Sequence, residues 1–377
     1  MSGERGKKRP VFERLMRFLN VLAILALLGS YAGGSISPER FWPLAFVSMA
    51  YPLILVSLIV LTVYWILKRK WFLFINIALL LIKWDFVDAT VQFPKEEIIA
   101  PGDGMNVMSF NVRLFDYYRW ADDGNTRTKS FDYLYRNQPN ILCIQEFYVD
   151  SSDHFRVMDT LLNTNIIKHA HFENYRDNQQ PNRKWGMATF SSYPIINNGV
   201  IDFESTYGNR CIYTDLKVDN DTIRVYNIHL QSVRIGNDQY LFIDQLMLNK
   251  SLKGVPVMKL LRDLKLLVYR MVHAFIERGK QAKQVKTHMN ESPYPVILCG
   301  DFNDTPNSYA YNVLSENLKD TFVEHGFGFG NTFVRIPFFR IDNIFYSSGF
   351  ESRTHQVDDD TVLSDHYPIL SNISLRN

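Results

Sequence analysis

Four apolar runs in this chain each end in a side chain that can hold a metal ion or move a proton. Val107-Met108-Ser109-Phe110 runs into Asn111, Ile141-Leu142-Cys143-Ile144-Gln145 into Glu146, and Val225-Tyr226-Asn227-Ile228 into His229. Val296-Ile297-Leu298-Cys299 runs into Gly300-Asp301-Phe302-Asn303-Asp304. Two further clusters flank apolar runs: Arg340-Ile341-Asp342-Asn343 opens one, and Ser364-Asp365-His366 stands just before Pro368. One such residue alone reads as a cap or a turn, whereas several at strand ends point to a shared cleft. The chemistry this set suits is metal-assisted attack on phosphorus. Glu and Asn oxygens are hard donors suited to Mg²⁺, with Mn²⁺ as a substitute. A bound ion would polarise a phosphoryl oxygen, and Asp, Asn and His supply a water-activating base and donors for a charged transition state. The chain has no Cys-x-x-Cys or His-Glu-x-x-His for zinc, and no Gly-x-x-x-x-Gly-Lys-Ser/Thr loop for nucleotide phosphates.

Strands are needed to hold these groups. Strand-like runs recur at Met105–Asn111, Ile141–Gln145, Met187–Phe190, Cys211–Val218, Thr222–His229, Val296–Cys299, Ile341–Tyr346 and Ile369–Ile373. Helical patterns fall between some of them, at Thr128–Asn137, at His154–Leu162 and in a long stretch near 256–287. Many short strands with interspersed helices predict a layered α/β sandwich.

The motifs, in their order, resemble the endonuclease/exonuclease/phosphatase superfamily over about residues 104–377. They are SFN at 109–111, IQE at 144–146, NIHL at 227–230, GDFND at 300–304, RIDNIF at 340–345 and SDH at 364–366, with TFSSYPI at 189–195 as a further likeness. The resemblance implies a four-layer α/β sandwich of two packed mixed β-sheets, with the site at one rim. By position it implies Glu146 as principal Mg²⁺ ligand with Asn111 beside it, and Asp301 as the group that orients and deprotonates water. Asn303 would hold that water or a phosphoryl oxygen. His229 and His366 would donate to the phosphoryl group, His366 oriented by Asp365. Asp342 would support the site from behind, and Arg210 falls near the family's mid-domain basic position.

The first ninety residues read differently. Phe18–Ser37 and Phe41–Leu67 carry no charge over 20 and 27 residues, each reaching the ~20 residues a helix needs to cross a bilayer. Gly33-Gly34 and Pro38 read as the turn between them. Trp71–Ile82 is a shorter apolar stretch that would span only if extended to about Thr90; otherwise it lies in the interface. Basic residues at the N-terminus and at Lys68-Arg69-Lys70 favour the cytoplasm, so a third span would place the rest of this multi-pass chain outside it. The expected organisation is a membrane region with two or three helices over residues 1–93, a linker over 94–104 and a catalytic domain over 105–377. The arrangement resembles membrane-tethered bacterial members of the superfamily.

Of 377 residues, 46% are apolar and 21% charged, with a net charge of +2, which excludes a disordered chain. Residues 1–100 hold 12 basic and 7 acidic side chains, leaving 29 and 32 in the remainder. The catalytic part is therefore not a polybasic nucleic-acid binder, although residues 250–290 carry ten Lys and Arg against Asp263 and Glu277. That segment reads as an amphipathic helix, packed on the sheet or lying on the bilayer. Three cysteines exclude a disulfide scaffold; Cys143 and Cys299, within apolar strands, read as buried thiols. The expected function is a membrane-anchored phosphoesterase acting on a phosphodiester or phosphomonoester, with a lipid headgroup or inositol phosphate as candidate substrates. The alternatives are a metal-dependent nuclease and, last, a membrane interaction protein with a vestigial site.

Overall fold

The computed structural model describes residues 9–94, 104–118, 125–150, 157–162, 167–175, 183–203, 208–233, 257–360 and 362–376. Most of the expected linker, and the basic residues Lys250 and Lys253, lie outside the described residues.

Six helices open the chain: α1 (Arg9–Ser35), α2 (Pro38–Phe41), α3 (Pro43–Met49), α4 (Tyr51–Leu67), α5 (Phe72–Ile82) and α6 (Trp84–Thr90). Among the described residues, α1 is the single helix long and apolar enough to cross a membrane, through Val11–Ser35. The expected second span is broken into α3 and α4, bent by 61°. Pro52 in the first turn of α4 explains the break, because proline lacks the N–H that would continue α3. The two count as a second candidate span only if taken as one bent unit. The expected extension of the third apolar stretch to Thr90 is corrected. Helix α5 has 11 residues, which at 1.5 Å per residue reaches roughly half of the ~30 Å hydrocarbon core. The chain then turns at Lys83, and α6 buries Phe86, Val87, Ala89 and Thr90 inside the protein.

Gly33 and Gly34 are not a turn; they lie within α1. A side chain at Gly33 would collide with the Leu44 carbonyl and the Ser48 hydroxyl, so this glycine lets α3 approach α1 closely, while one at Gly34 would strike the Asn307 carbonyl, Asn312 and Phe86. A buried polar cluster ties α1, α4 and α5 together. Asn20 Oδ1 accepts from Trp65 Nε1 at 2.8 Å and from Asn76 Nδ2 at 2.9 Å, and Asn76 Nδ2 also reaches Thr62 Oγ1 at 3.0 Å.

Two mixed sheets follow. The first is ordered β11 (Phe350–Ser352), β13 (Ile369–Leu375), β1 (Met105–Asn111), β2 (Ile141–Asp150), β4 (Arg183–Ser191) and β3 (His169–Asn174), with β12 (Gln356–Val357) on β13; the second is ordered β5 (Ile195–Asp202), β6 (Arg210–Val218), β7 (Asp221–His229), β8 (Val296–Asp301), β10 (Asp342–Tyr346) and β9 (Lys319–Asp320). The strands that matter for the site are β1 (Met105–Asn111), β2 (Ile141–Asp150), β7 (Asp221–His229), β8 (Val296–Asp301) and β10 (Asp342–Tyr346). Pairs β1/β2 and β7/β8 are parallel. Side chains alternate across each strand. Val107, Ile141, Cys143, Val225, Ile297, Cys299 and Ile344 therefore meet between the sheets as one apolar core. Met108, Phe110, Leu142 and Ile144 face outward onto Leu134 of helix α7 (Thr126–Asn137) and Leu161 of helix α8 (Val157–Leu162). Tyr226, Ile228, Leu298 and Phe345 face the other way, onto helix α9 (Val257–Asn290) and helix α10 (Tyr309–Ser315). Helices thus cover the outer face of each sheet, giving the four-layer sandwich.

The apolar N-terminal region is docked on this sandwich. Phe46 of α3 packs edge-on against Phe275 of α9 with ring centres 5.0 Å apart, and Gln92 bridges to Gly328 in strand geometry.

Candidate active site

Strand periodicity puts the polar residues on one rim. Asn111 continues the inward-facing series of Val107 and Ser109, His229 that of Val225 and Asn227, and Asp301 that of Ile297 and Cys299. Register brings them level: His229 stands beside Asp301, and Asp301 opposite Asp342. Glu146 has the wrong parity for that face, since it is one residue off the inward series of Cys143 and Gln145. A β-bulge corrects it. The β2/β4 register shifts between Ile144 and Phe147, and Glu146 adopts a left-handed backbone, φ 52°. Bulges commonly re-aim a side chain beside a site, and this one turns Glu146 to within 3.9 Å of His229 Nε2. Gly300, at φ 140°, lies where a Cβ would strike the Ile228 carbonyl of β7, so only glycine lets β8 run this close just before Asp301.

Asp301 is the centre of the cluster and is buried. Its Oδ2 accepts from Asn111 Nδ2 at 3.0 Å and from Asn303 Nδ2 at 3.1 Å, and its Oδ1 from the Asn303 backbone N–H at 2.7 Å. His229 Nε2 and His366 Nε2 lie 3.6 Å and 3.8 Å from the same carboxylate. Burial raises the Asp301 pKa, although the two imidazoles work against that rise. The expected orienting partner of His366 is corrected. Its Nδ1 meets Asp342 Oδ2 at 2.9 Å, while Asp365 faces Arg113 Nε at 3.3 Å. Burial opposes a charged His366, but Asp342 and Asp301 outweigh it and hold the pKa up to about 10. The two carboxylates thus favour the charged form of His366. Arg210 is the cross-strand partner of His229, and its guanidinium is held by Asp202 at 3.0 Å and by the Asn174 carbonyl at 3.0 Å.

Several further residues support the site in ways their sequence context did not reveal. Gln145 and Asn227 join across the sheets at 2.8 Å directly beneath the rim. Thr332 Oγ1 accepts from the backbone N–H groups of Ile341 and Asp342. Arg113 opens a turn in which residues 113–116 all have left-handed φ between 45° and 57°, at a cost of ~1–2 kcal/mol per residue. Asn111 Oδ1 accepts from the Arg113 N–H, and buried Phe115 anchors the turn in the core. The loop after β8 is clamped from two sides. Arg278 of α9 lies 3.5 Å from Asp304, and Asn307 donates to the Phe86 carbonyl and the Thr90 hydroxyl of α6. Arg340, fully buried, donates to the Ala89 carbonyl at 2.9 Å and pairs with Asp320. The stretch from Thr332 to Arg340 rims the site, with Phe333 stacked edge-on near His366 at 5.3 Å.

The donor set fits a hard divalent cation. Burial, with Asp365 and Asp301 adding to it, pushes the Glu146 carboxyl up to about 7 even against His366 and the Asn111 hydrogen bond, so a cation bound here would favour its charged form. Asp301, Asp342 and His366 also offer ligand atoms within 4.8 Å of one another, a second grouping able to hold an ion. Of the two, the Glu146 side is the all-oxygen one, because the third member of the other is an imidazole already bonded to Asp342.

The family model described as endonuclease/exonuclease/phosphatase family matches residues 108–366, and one described as a domain of unknown function (DUF8431) matches residues 13–90. No curated protein matches the chain in sequence. Among solved structures, an endonuclease/exonuclease/phosphatase from Bacteroides vulgatus is similar at TM-score 0.52 and 15% identity, over 73% of this chain and 100% of that one. A protein of the same description from Beutenbergia cavernae is similar at TM-score 0.50 and 17% identity, over 73% and 72%. The human Nocturnin catalytic domain is similar at TM-score 0.50 and 18% identity, over 73% and 94%. At these identities the likeness shows the shared fold.

Proposed function

The chain belongs to the endonuclease/exonuclease/phosphatase family, and on that premise we propose that it is a membrane-anchored, Mg²⁺-dependent phosphoesterase. The observation that carries this reading is the convergence of Glu146, Asn111, Asp301, Asn303, His229 and His366 on one strand-end rim.

Glu146 and Asn111 would hold the ion, which when bound supplies Lewis-acid polarisation of a phosphoryl oxygen. The chain's own residues do the rest. Asp301, with its raised pKa, accepts a proton from the attacking water, and Asn303 holds that water or a phosphoryl oxygen. His366 stays charged through Asp342 and donates to the phosphoryl group as negative charge builds there. His229 donates beside it. A membrane substrate is supported by α1, a candidate span, and by the docking of the apolar helices on the sandwich. Confinement to the bilayer raises the effective concentration of a lipid-borne phosphoester.

A phosphoester panel on the purified full chain tests this reading, with a phospholipid, an inositol phosphate, a nucleotide and plasmid DNA as substrates. Turnover of the phospholipid or inositol phosphate above DNA supports it. DNA cleavage with steep salt dependence would favour the nuclease alternative.

A further inference from the structure

Helix α9 is a single helix of 34 residues, yet only its second half is packed. Its buried residues begin at Ala274, and no residue from Val257 to His273 is buried. This front half is strongly sided. Val257, Leu261, Leu264 and Val268 recur at helical spacing on the face that continues to Phe275. Val257, Leu261 and Leu264, together with Met258 and Tyr269 at the edge of that face, are between 44% and 77% exposed. Lys259, Arg262 and Arg270 occupy the opposite face with Asp263, which lies 3.6 Å from Arg262. Lys265 sits at the boundary, where its stem can run along apolar surface and its ammonium reach water.

The direction of the apolar face is fixed by Phe275, which packs on Phe46 of α3. The face that meets the N-terminal apolar helices therefore runs on for about four more turns, half-buried at Val268, Met271 and Val272 and exposed from Leu264 back to Val257. A water-facing helix would not expose this row. A basic amphipathic helix beside an apolar helical region matches the chemistry of an anionic bilayer surface. We propose that residues 257–273 form a second membrane-docking surface, lying in the headgroup region of an anionic leaflet with the Val257–Val268 face inward. The proposal rests on the reading of the N-terminal helices as the anchor. It adds that the long helix leading into the Arg278–Asp304 clamp is itself seated on lipid, which fixes how the catalytic rim faces the membrane.

The test uses the full chain carrying an environment-sensitive fluorophore at Leu261→Cys or, as the opposite-face control, at Lys259→Cys; the native cysteines are buried. The labelled protein is mixed with vesicles of phosphatidylcholine alone or of phosphatidylcholine with phosphatidylglycerol, and floated. The proposal expects a blue shift at position 261 in the anionic vesicles, a smaller one at 259, and weakening of both by salt. It also expects a Leu261→Glu/Leu264→Glu variant to lose the lipid response while turning over a soluble phosphoester as before. Flotation with both vesicles but no shift at 261 overturns the docking surface and leaves the anchor standing. Failure to float with either overturns both readings. A shift at 261 that follows protein concentration and ignores lipid composition overturns the proposal in favour of contact with a second copy.

Discussion

His366 and Asp342 are 24 positions apart, yet His366 Nδ1 lies 2.9 Å from Asp342 Oδ2. The neighbouring Asp365 is turned instead toward Arg113. The charge state of His366 thus depends chiefly on a residue of β10, Asp342. An Asp342→Asn variant should keep a hydrogen bond to the ring but lose the charge that holds it protonated. We expect kcat to fall by about 10²–10⁴-fold, the range for a misplaced acid–base partner, with KM little changed. The alkaline limb of the pH–rate profile should move down, because His366 then loses its proton nearer its ordinary 6.5 than 10. An unmoved alkaline limb would show that Asp342 does not govern His366.

Asn307, in the loop that follows Asp301 and Asn303, donates to Thr90 Oγ1 at 2.9 Å and to the Phe86 carbonyl at 3.0 Å. The N-terminal helices therefore help to hold the catalytic loop. Thr90→Val removes the acceptor with little change of shape and leaves a buried amide hydrogen short of a partner, at a cost of about 1–3 kcal/mol. The variant should show a lower thermal midpoint and a lower kcat on a soluble phosphoester, where membrane attachment plays no part. Wild-type kcat on that substrate would mean that the helices only tether the domain.

His355 offers a pH test away from the site. Its Nδ1 meets Thr321 Oγ1 at 2.8 Å, its buried Nε2 has no partner among the described residues, and burial pushes its pKa down to about 4. Between about 6.5 and 4 the unfolded chain takes up a proton at this histidine that the folded chain refuses. Its contribution to stability is present above 6.5 and is lost as the pH falls toward 4. The thermal midpoint of the full chain should drop across that window, and His355→Gln should flatten the drop. Equal slopes in the two proteins would remove His355 as a cause.

The central strands were legible in the sequence because β1, β7 and β8 are apolar runs that end in the polar group, β2 carries Glu146 after its apolar run and continues to Asp150, and β10 opens on Asp342 and Asn343. Strands β3 (His169–Asn174) and β5 (Ile195–Asp202) were not, since HAHFEN and IINNGVID are polar edge sequences whose pairing supplies the order. Motif spacing pointed to Glu146, but not to the bulge that aims it, because no glycine marks that left-handed residue. The same holds for the turn at Arg113, whose four left-handed residues are stabilised by tertiary contacts. In the N-terminal region, hydropathy alone merged α3 with α4 and hid the break that Pro52 imposes.

The account turns on whether the Glu146 cluster holds a divalent cation that Asp301 uses to cleave a phosphoester. The direct measurement is turnover of the best substrate as a function of Mg²⁺ concentration, for the wild-type chain, Glu146→Gln and Asp301→Asn, each shown to be folded by circular dichroism. Chelation should abolish wild-type turnover and added Mg²⁺ restore it. Glu146→Gln should require far more Mg²⁺, and Asp301→Asn should lose roughly 10²–10⁴-fold in kcat at any Mg²⁺ concentration. Full wild-type turnover in chelator, or an unchanged Mg²⁺ requirement in Glu146→Gln, would contradict it.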